Sequence, residues 1–227
     1  MRSCCAAALL AVVFPNGTTR ADEASSIAAL DKKVGGFFYE RDSSRPDSPV
    51  VEIKLGNTSL PVTDEVMKDL KEVKQLRTLG LVGTKITGAG LKDLKGLKHL
   101  QALDIRLTAV TDTGLKEVGE LTQLEQLALD GTKITDAGLK ELKELKRLQK
   151  LYARETQVTD AGLKELKELK QIRILNLLGT QVTDAGLKEL KELKQLQTLD
   201  VRYTKVTAAV VKDLQEALPE CRIVREP

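Results

Sequence analysis

The sequence predicts an α/β solenoid, in which one unit of strand and helix is stacked repeatedly along an axis. The first basis is a column of threonines at constant steps of 24: Thr84, Thr108, Thr132, Thr156, Thr180 and Thr204. The second is that apolar residues keep one register with each threonine, five and three positions before it and two after it. A fixed period of this length is the signature of a repeat architecture. The low aromatic fraction, 3% with no Trp, suits a core of aliphatic layers.

Residues 1–21 have the features of a cleavable secretory signal. Arg2 gives a basic start, and an apolar run of ten residues extends from Cys5 to Phe14. Thr19 and Ala21 place small residues at both processing positions, which predicts a cut after Ala21. Ten apolar residues are too few to span a bilayer, and nothing in the run alternates as a buried strand would. The sequence therefore predicts a secreted or periplasmic protein without a stable membrane span.

Residues 22–50 do not repeat, and we expect them to cap the N-terminal end of the solenoid. Apolar residues at helical spacing, followed by a glycine pair, predict a helix, and an aromatic run predicts a short strand. An end repeat must hide an apolar face, so a helix-plus-hairpin cap is the expected device. The residues that carry these predictions are Ile27, Leu30, Val34, Gly35, Gly36, Phe37, Phe38 and Tyr39.

Residues 51–227 are predicted to be the repeats. Each repeat begins with a Leu-x-x-Leu-x-Leu strand, and a Thr-Asp-Ala-Gly-Leu-Lys segment then turns the chain into a helix. The Thr is suited to cap that helix, and the Asp complements its dipole. The Gly lowers helix propensity by about 1 kcal/mol relative to Ala. We attribute its presence to close packing of the helix start on its neighbour. Three repeats show the pattern complete, with Thr135, Asp136, Gly138, Thr159, Asp160, Gly162, Thr183, Asp184 and Gly186.

The threonine column has a structural interpretation. A Thr hydroxyl can satisfy backbone groups in the turns between layers. In the first repeat a strict step of 24 falls on Leu60, so we expect Thr58 to serve there, with two extra residues before Val62. In another column, Ala153 stands in a core slot that other repeats fill with larger aliphatics, which should cost packing unless a neighbour fills the gap.

The motif Thr-Asp-Ala-Gly-Leu-Lys-Glu-Leu is complete at 135–142, 159–166 and 183–190. It resembles the helix-containing repeats of the ribonuclease-inhibitor and F-box-associated leucine-rich-repeat class. Together with the signal, the chain resembles secreted leucine-rich-repeat proteins abundant in planctomycete-type bacteria. The segment 218–224 resembles their closing strand, since Ile223 falls one full repeat after Leu199. The resemblance implies a horseshoe arc with a parallel sheet on the concave face, helices on the convex face, and protein binding as the usual activity.

The sequence offers little for catalysis. His99 is the only histidine, so a Ser-His-Asp arrangement or a His-based metal site would depend on it alone. Cys221 would be the single cysteine of the exported form, expected to be packed rather than reactive. Loss of residues 1–21, which hold two arginines and no acid, lowers the formal charge from +3 to +1, which does not suit nucleic-acid binding. We therefore expect no enzyme activity, cofactor, metal or nucleic-acid partner.

The informative positions are those that point away from the core along each strand. Tyr and Arg, the residue types enriched at binding hot spots, stand there among acids. The alternative is an unspecialised surface, on which Arg and Asp columns neutralise one another across strands. The predicted partner-binding residues are Asp104, Arg106, Asp130, Tyr152, Arg154, Glu155, Asn176, Asp200, Arg202 and Tyr203.

The sequence thus predicts a monomeric, non-enzymatic protein-binding scaffold that acts outside the cytoplasm. The first alternative is a cell-surface or matrix component that recognises glycan, against which the scarcity of exposed aromatic rings counts. A ubiquitin-ligase-type substrate adaptor is the second alternative, disfavoured because residues 22–50 are too few for an adaptor module and the signal indicates export.

Overall fold

The computed structural model describes residues 20–56 and 58–226, and within them the chain forms one sheet of nine strands with helices along its outer side. The strands lie in chain order from first to last. The first pair is antiparallel, and every later pair is parallel. Apart from Arg20 and Ala21, the predicted signal lies outside the described residues. The predicted α/β solenoid is confirmed.

The strands are short, since most contribute three residues to the ladder. They are β1 (Phe38–Arg41), β2 (Val50–Lys54), β3 (Thr78–Gly80), β4 (Ala102–Asp104), β5 (Gln126–Ala128), β6 (Lys150–Tyr152), β7 (Ile174–Asn176), β8 (Thr198–Asp200) and β9 (Arg222–Val224). The α-helices are α1 (Arg20–Val34), α2 (Gly88–Leu91), α3 (Asp112–Val118), α4 (Asp136–Lys140), α5 (Asp160–Leu166), α6 (Asp184–Glu189) and α7 (Ala208–Ala217). Further 3-10 helices span Asp64–Glu72, Lys92–Gly96, Glu141–Glu144 and Leu190–Glu192.

The register of the parallel ladder follows the period of the sequence. Leu79 pairs with Leu103, and each later partner advances by the same step, ending with Leu199 and Ile223. Ile53 pairs with Leu79 at a step of 26, which confirms the two extra residues of the first repeat. The closing strand is confirmed at β9 by the same register.

The outer elements are shorter and tighter than the predicted helices. The helix α4 holds one α-helical turn and continues as a 3-10 helix over Glu141–Glu144. Leu139, Leu142 and Leu145 are fully buried, as their periodicity predicted. A step of three places such residues on one line only at 3.0 residues per turn, which is the geometry of a 3-10 helix. Ala153, on the strand side, is also fully buried.

A helix and a hairpin cover the N-terminal end of the described chain. Ile27, Leu30 and Val34 of α1 are buried, and β1 pairs with β2. Glu23 joins the two elements, although the sequence pattern gave no sign of it. Its side chain is only 2% exposed. It accepts hydrogen bonds from Arg41 Nη1 at 2.8 Å and from the Val50 amide at 3.0 Å. The division of the chain at residues 21 and 50 stays a prediction.

The threonine column bonds within each repeat rather than between layers. Each hydroxyl donates to the backbone carbonyl three residues earlier, at 2.6–2.7 Å, and closes the turn after its own strand. The side chain is too short to reach the next repeat from there. Thr58 differs, because its hydroxyl donates to the Leu60 carbonyl at 2.7 Å. Thr58 therefore satisfies a backbone carbonyl of its turn, as predicted, but a later carbonyl than the one used by the rest of the column.

A second set of threonines, at the helix starts, connects neighbouring repeats. Thr159 caps α5 by accepting from the Ala161 amide, and Thr135 and Thr183 cap their helices likewise, as predicted. The preceding repeat adds a pair of bonds that the sequence analysis missed. Asp136 accepts from the Thr159 amide at 2.8 Å and from its hydroxyl at 2.6 Å. Asp64, Asp112, Asp160 and Asp184 make the same pair of bonds to Thr87, Thr135, Thr183 and Thr207.

This Asp–Thr ladder explains the helical glycines. A Cβ atom at Gly162 would meet Asp136 Oδ1 and would lie 3.1 Å from Leu139 Cδ1. The glycine is required because the carboxylate of the previous repeat passes over it, which confirms close packing at the helix start. One rung of the ladder is absent, since Gly88 occupies the Asp position before Thr111. There a Cβ at Gly88 would lie 2.8 Å from the Cα of Gly114.

The C-terminal end of the described chain is covered by α7 and β9. Cys221 lies just before β9 and is 3% exposed. Burial raises the pKa of its thiol to about 11. The thiolate is the reactive form of cysteine, so this environment suits a packed residue rather than a nucleophile.

Candidate functional surface

The predicted partner-binding residues lie on the concave side of the sheet and along the turns that follow its strands. Arg106, Arg154, Glu155 and Tyr203 are exposed. Asp104, Asp130, Tyr152, Asn176 and Arg202 are partly exposed, while Asp200 is buried. The structure brings them to one side of the molecule, since successive repeats pair in register.

Two of the arginines are held by an aspartate of their own repeat. Arg106 donates from Nε to Asp104 Oδ1 at 2.8 Å and from Nη2 to Oδ2 at 2.6 Å. Arg202 repeats this fork on Asp200, at 3.0 and 2.7 Å. These charges therefore pair along a strand end, two residues apart on one face, and not across strands as the alternative supposed.

The pairs shift the ionisation of their members. The hydrogen bonds from Arg106 to Asp104 and from Arg202 to Asp200 raise the pKa of each guanidinium. Burial acts to raise the pKa of Asp200, but the hydrogen bonds from the Arg202 side chain and backbone outweigh it, so that pKa is lowered. Arg202 and Asp200 are thus both ionised at neutral pH and hold each other in a fixed orientation.

The middle arginine has a different partner, because Tyr152 stands where the other two repeats carry Asp. Arg154 donates from Nε and Nη2 to Glu155 Oε1 at 3.0 and 2.9 Å, and both side chains are about half exposed. Its amide donates to Asp130 Oδ1 at 2.9 Å. Burial raises the pKa of Asp130 and exceeds the opposing effects of that bond and of Arg106. Asn176 accepts from the Leu178 amide at 3.0 Å, so its side chain is used within its own turn.

A hollow of about 420 Å³ lies on the concave face beside β2 to β5. Glycine and alanine lie among its lining residues, and their small size leaves the space open. The charged side chains of Glu52, Lys54, Asp104 and Arg106 also line it. The sequence pattern predicts Asp104 and Arg106 as partner-binding residues but does not predict the hollow that they help to form. Small residues in successive strands were the available signal. The hollow is lined by Glu52, Lys54, Gly56, Thr78, Leu79, Gly80, Val82, Ala102, Asp104, Arg106 and Gln126.

The turn after each of the strands β3 to β8 passes through one left-handed residue. Glycine occupies it in three repeats, at Gly83, Gly131 and Gly179. In the repeats between them the residues are Leu107, Glu155 and Tyr203, with φ of 56°, 54° and 54°. Leu107 leans over the following glycine, since a Cβ at Gly131 would lie 2.6 Å from Leu107 Cδ2. A smaller hollow of about 210 Å³ opens there, bordered by Val82, Arg106, Leu107, Asp130, Gly131, Arg154 and Glu155.

Within residues 20–56 and 58–226, the His, Cys, Asp and Glu side chains form no cluster of three or more that could hold a metal ion. None of the helices in the same part of the chain has the length and apolar character needed to cross a bilayer. The arrangement offers hydrogen-bond donors, ion pairs, the exposed ring of Tyr203 and the exposed side chain of Leu107. These groups can contact a binding partner.

A family model described as a leucine-rich repeat region matches residues 55–223. The chain belongs to the leucine-rich-repeat family. The match spans the parallel strands from β3 onward and their helices, so the family and the solenoid geometry agree. A search of curated proteins gives no match to this leucine-rich-repeat chain.

Solved structures are similar to this leucine-rich-repeat chain in fold. Internalin C2 from Listeria monocytogenes matches with a TM-score of 0.59 at 18% identity, over 90% of this chain and 93% of that one. Another internalin of that organism matches with a TM-score of 0.46 at 15% identity, over 70% and 59% of the two chains. A leucine-rich-repeat protein from Leptospira interrogans matches with a TM-score of 0.49 at 22% identity, over 69% and 50%.

Proposed function

We propose that this protein is a non-enzymatic scaffold that binds a protein partner through its concave face and adjoining turns, outside the cytoplasm. The observation that carries the proposal is the contrast between the two sides of the solenoid. The outer side repeats Lys and Glu with little variation. The inner side instead presents Tyr152, Tyr203 and three oriented arginines, of which Arg106 borders the hollow of about 420 Å³. Protein binding is the usual role of leucine-rich repeats of the ribonuclease-inhibitor-like class that the motif resembles.

Export is supported by the N-terminal sequence. The apolar run from Cys5 to Phe14 and the small residues before Asp22 suit a cleaved signal. We expect the exported fraction of the producing cell to contain the chain as a monomer beginning at Asp22, which N-terminal sequencing after size-exclusion chromatography would detect. An uncleaved chain confined to the cytoplasm would contradict export and would favour an intracellular adaptor.

The binding role is tested by removing the side chains of Tyr152 and Arg154 from the central repeat. We expect Tyr152→Ala with Arg154→Ala to lower recovery of the natural partner about fivefold or more in a quantitative pull-down, because Tyr and Arg side chains dominate binding energies. Neither side chain fills the core, so the melting temperature should change by less than about 2 °C.

The matched control is Lys167→Ala with Glu168→Ala, which removes the same number of exposed side chains from the outer side. The bait is the chain from Asp22 onward, exposed to an envelope extract of the producing cell. Equal recovery by both double variants and the unaltered chain would contradict binding through the concave face.

A further inference from the structure

The turns after the strands carry a second period, twice as long as the structural repeat. In alternate repeats an arginine is followed by a large left-handed residue, whereas the repeats between them end in glycine at that position. We call the three large pairs the ridge: Arg106–Leu107, Arg154–Glu155 and Arg202–Tyr203.

Two residues of the ridge, Leu107 and Tyr203, adopt a strained backbone conformation although their side chains stay exposed. A left-handed conformation is costly for any residue with a Cβ atom, and neighbouring repeats show that glycine fits the same turn. Leu107 is 63% exposed and Tyr203 is 69% exposed, so neither gains burial in exchange. Backbone strain of this kind concentrates at sites of function. The ridge therefore has the character of a surface built for contact.

Its arginines are oriented donors. Each guanidinium is held through Nε and Nη2 by a carboxylate of its own repeat, and within residues 20–56 and 58–226 its Nη1 group donates to no other acceptor. The three carboxylates of Asp104, Glu155 and Asp200 balance the three positive charges. A row of ion-paired donors suits an uncharged hydrogen-bond acceptor better than an acidic chain, because the net charge of the row is near zero.

The spacing of the ridge is fixed by the backbone. The ladder continues past the strands, since the Leu107 amide donates to the Asp130 carbonyl and the Gly131 amide to the Arg154 carbonyl, both at 2.9 Å. Adjacent strands lie about 4.8 Å apart, so consecutive ridge arginines recur at roughly 9.6 Å. A polyproline II chain rises about 3.1 Å per residue, so every third residue recurs on one side at about 9.3 Å. Side chains on one face of a β-strand recur at about 6.7 or 13 Å. Those of a helix recur after two turns at about 10.8 Å. Both distances differ more from the arginine spacing than that of polyproline II does.

We propose that the ridge binds a proline-rich segment of a protein in the polyproline II conformation, lying across the strands. Every third backbone carbonyl of the segment accepts from an arginine Nη1 group, and proline rings contact Leu107 and the ring of Tyr203. Carbonyls of this conformation have no internal partner, and aromatic side chains are the usual platform for its rings. The proposal rests on the proposed function, since it names the class of partner for the same surface.

The test uses fluorescein-labelled nonaproline and the full chain, with anisotropy as the measurement. We expect saturable binding, weakened about tenfold by Leu107→Gly with Tyr203→Gly, because this removes the two side chains that contact the proline rings. Both positions have left-handed backbones that glycine adopts freely, so the double variant should melt no lower than the unaltered chain. Leu60→Ser, which removes an exposed leucine away from the ridge, should leave the affinity unchanged.

Several outcomes would overturn the proposal: no binding of nonaproline, equal binding of a Gly-Ser peptide of the same length, or tighter binding of a nonaglutamate peptide. The first would leave the proposed function standing if the Tyr152 and Arg154 double variant still loses its partner in the pull-down. If that variant also recovers its partner undiminished, the proposed function fails as well.

Discussion

The surroundings of Asp130, and with them the pKa of its carboxyl, are set by residues of the neighbouring repeats. It stands in the column that carries Arg106 and Arg154 in the neighbouring repeats, and its carboxylate accepts the amide of Arg154. Burial raises the pKa of Asp130 in spite of the nearby guanidiniums. The folded state therefore favours the protonated acid more than the unfolded chain does, and ionisation opposes folding above the raised pKa.

We accordingly expect Asp130→Asn to raise the melting temperature at pH 7, because an amide oxygen keeps the bond to Arg154 without a buried charge. The gain should shrink as the pH falls toward 4 and the unaltered carboxyl becomes protonated. Calorimetry of both chains between pH 3 and pH 8 measures the difference. An advantage that grows on acidification would mean that the carboxylate stabilises the fold.

At this scale, the sequence was sufficient to predict which side chains leave the core but not which ones bind each other. Alternation along a strand is a local property, and it correctly placed Arg106 and Asp104 on the same side. The choice between pairing along a strand end and pairing across strands depends on turn geometry, which the repeat pattern does not specify. The left-handed conformation of Leu107 was missed for the same reason, since leucine gives no local signal for it.

At the helix starts, contacts with the neighbouring repeat outweigh the helix propensity of a single residue. Gly162 lowers the helix propensity of α5, yet its hydrogen leaves room for the Asp136 carboxylate that joins two repeats. The sequence pattern predicts close packing here, but it relates Asp136 only to the dipole of its own helix. Contacts between one repeat and the next became visible only when the repeats were stacked.

We expect Gly162→Ala to destabilise the fold by about 2 kcal/mol, because overpacking displaces the carboxylate and exceeds the helix-propensity gain of about 1 kcal/mol. Gly96→Ala is the matched control. A Cβ there meets only the end of the Lys74 side chain at 3.7 Å, so this variant should be neutral or slightly stabilising. Urea unfolding of both variants decides the matter, and a stabilised Gly162→Ala chain would refute the steric role of the carboxylate.

At the scale of the whole molecule, we expect unfolding to be least cooperative where the Asp–Thr ladder is interrupted. Stability in a solenoid is a sum of repeats and nearest-neighbour interfaces. The interface between Gly88 and Thr111 lacks the carboxylate bonds of the other helix starts, and the Thr111 hydroxyl instead lies 3.1 Å from that of Thr113. Two blocks of repeats therefore meet at a junction held by fewer polar contacts.

We expect native-state hydrogen exchange in increasing urea to show a boundary at this junction, with amides before it losing protection at lower urea than those after it. Asp136→Ala should create a second boundary near Thr159, because it removes the same pair of bonds there. Loss of protection at a single urea concentration throughout the described chain would show that the missing rung does not matter.

The reversed direction of β1 has a consequence for how copies of the molecule can meet. A solenoid made only of parallel strands presents matching edges at its two ends, so a head-to-tail contact could repeat without closing and would build a filament. Here the N-terminal edge is the antiparallel hairpin of β1 and β2, whereas β9 continues the parallel direction. A second copy that adds β1 to β9 cannot extend the parallel register, because its first parallel strand, β2, already has β1 as its neighbour. The hairpin thus prevents one continuous parallel sheet from running through two copies joined in this way.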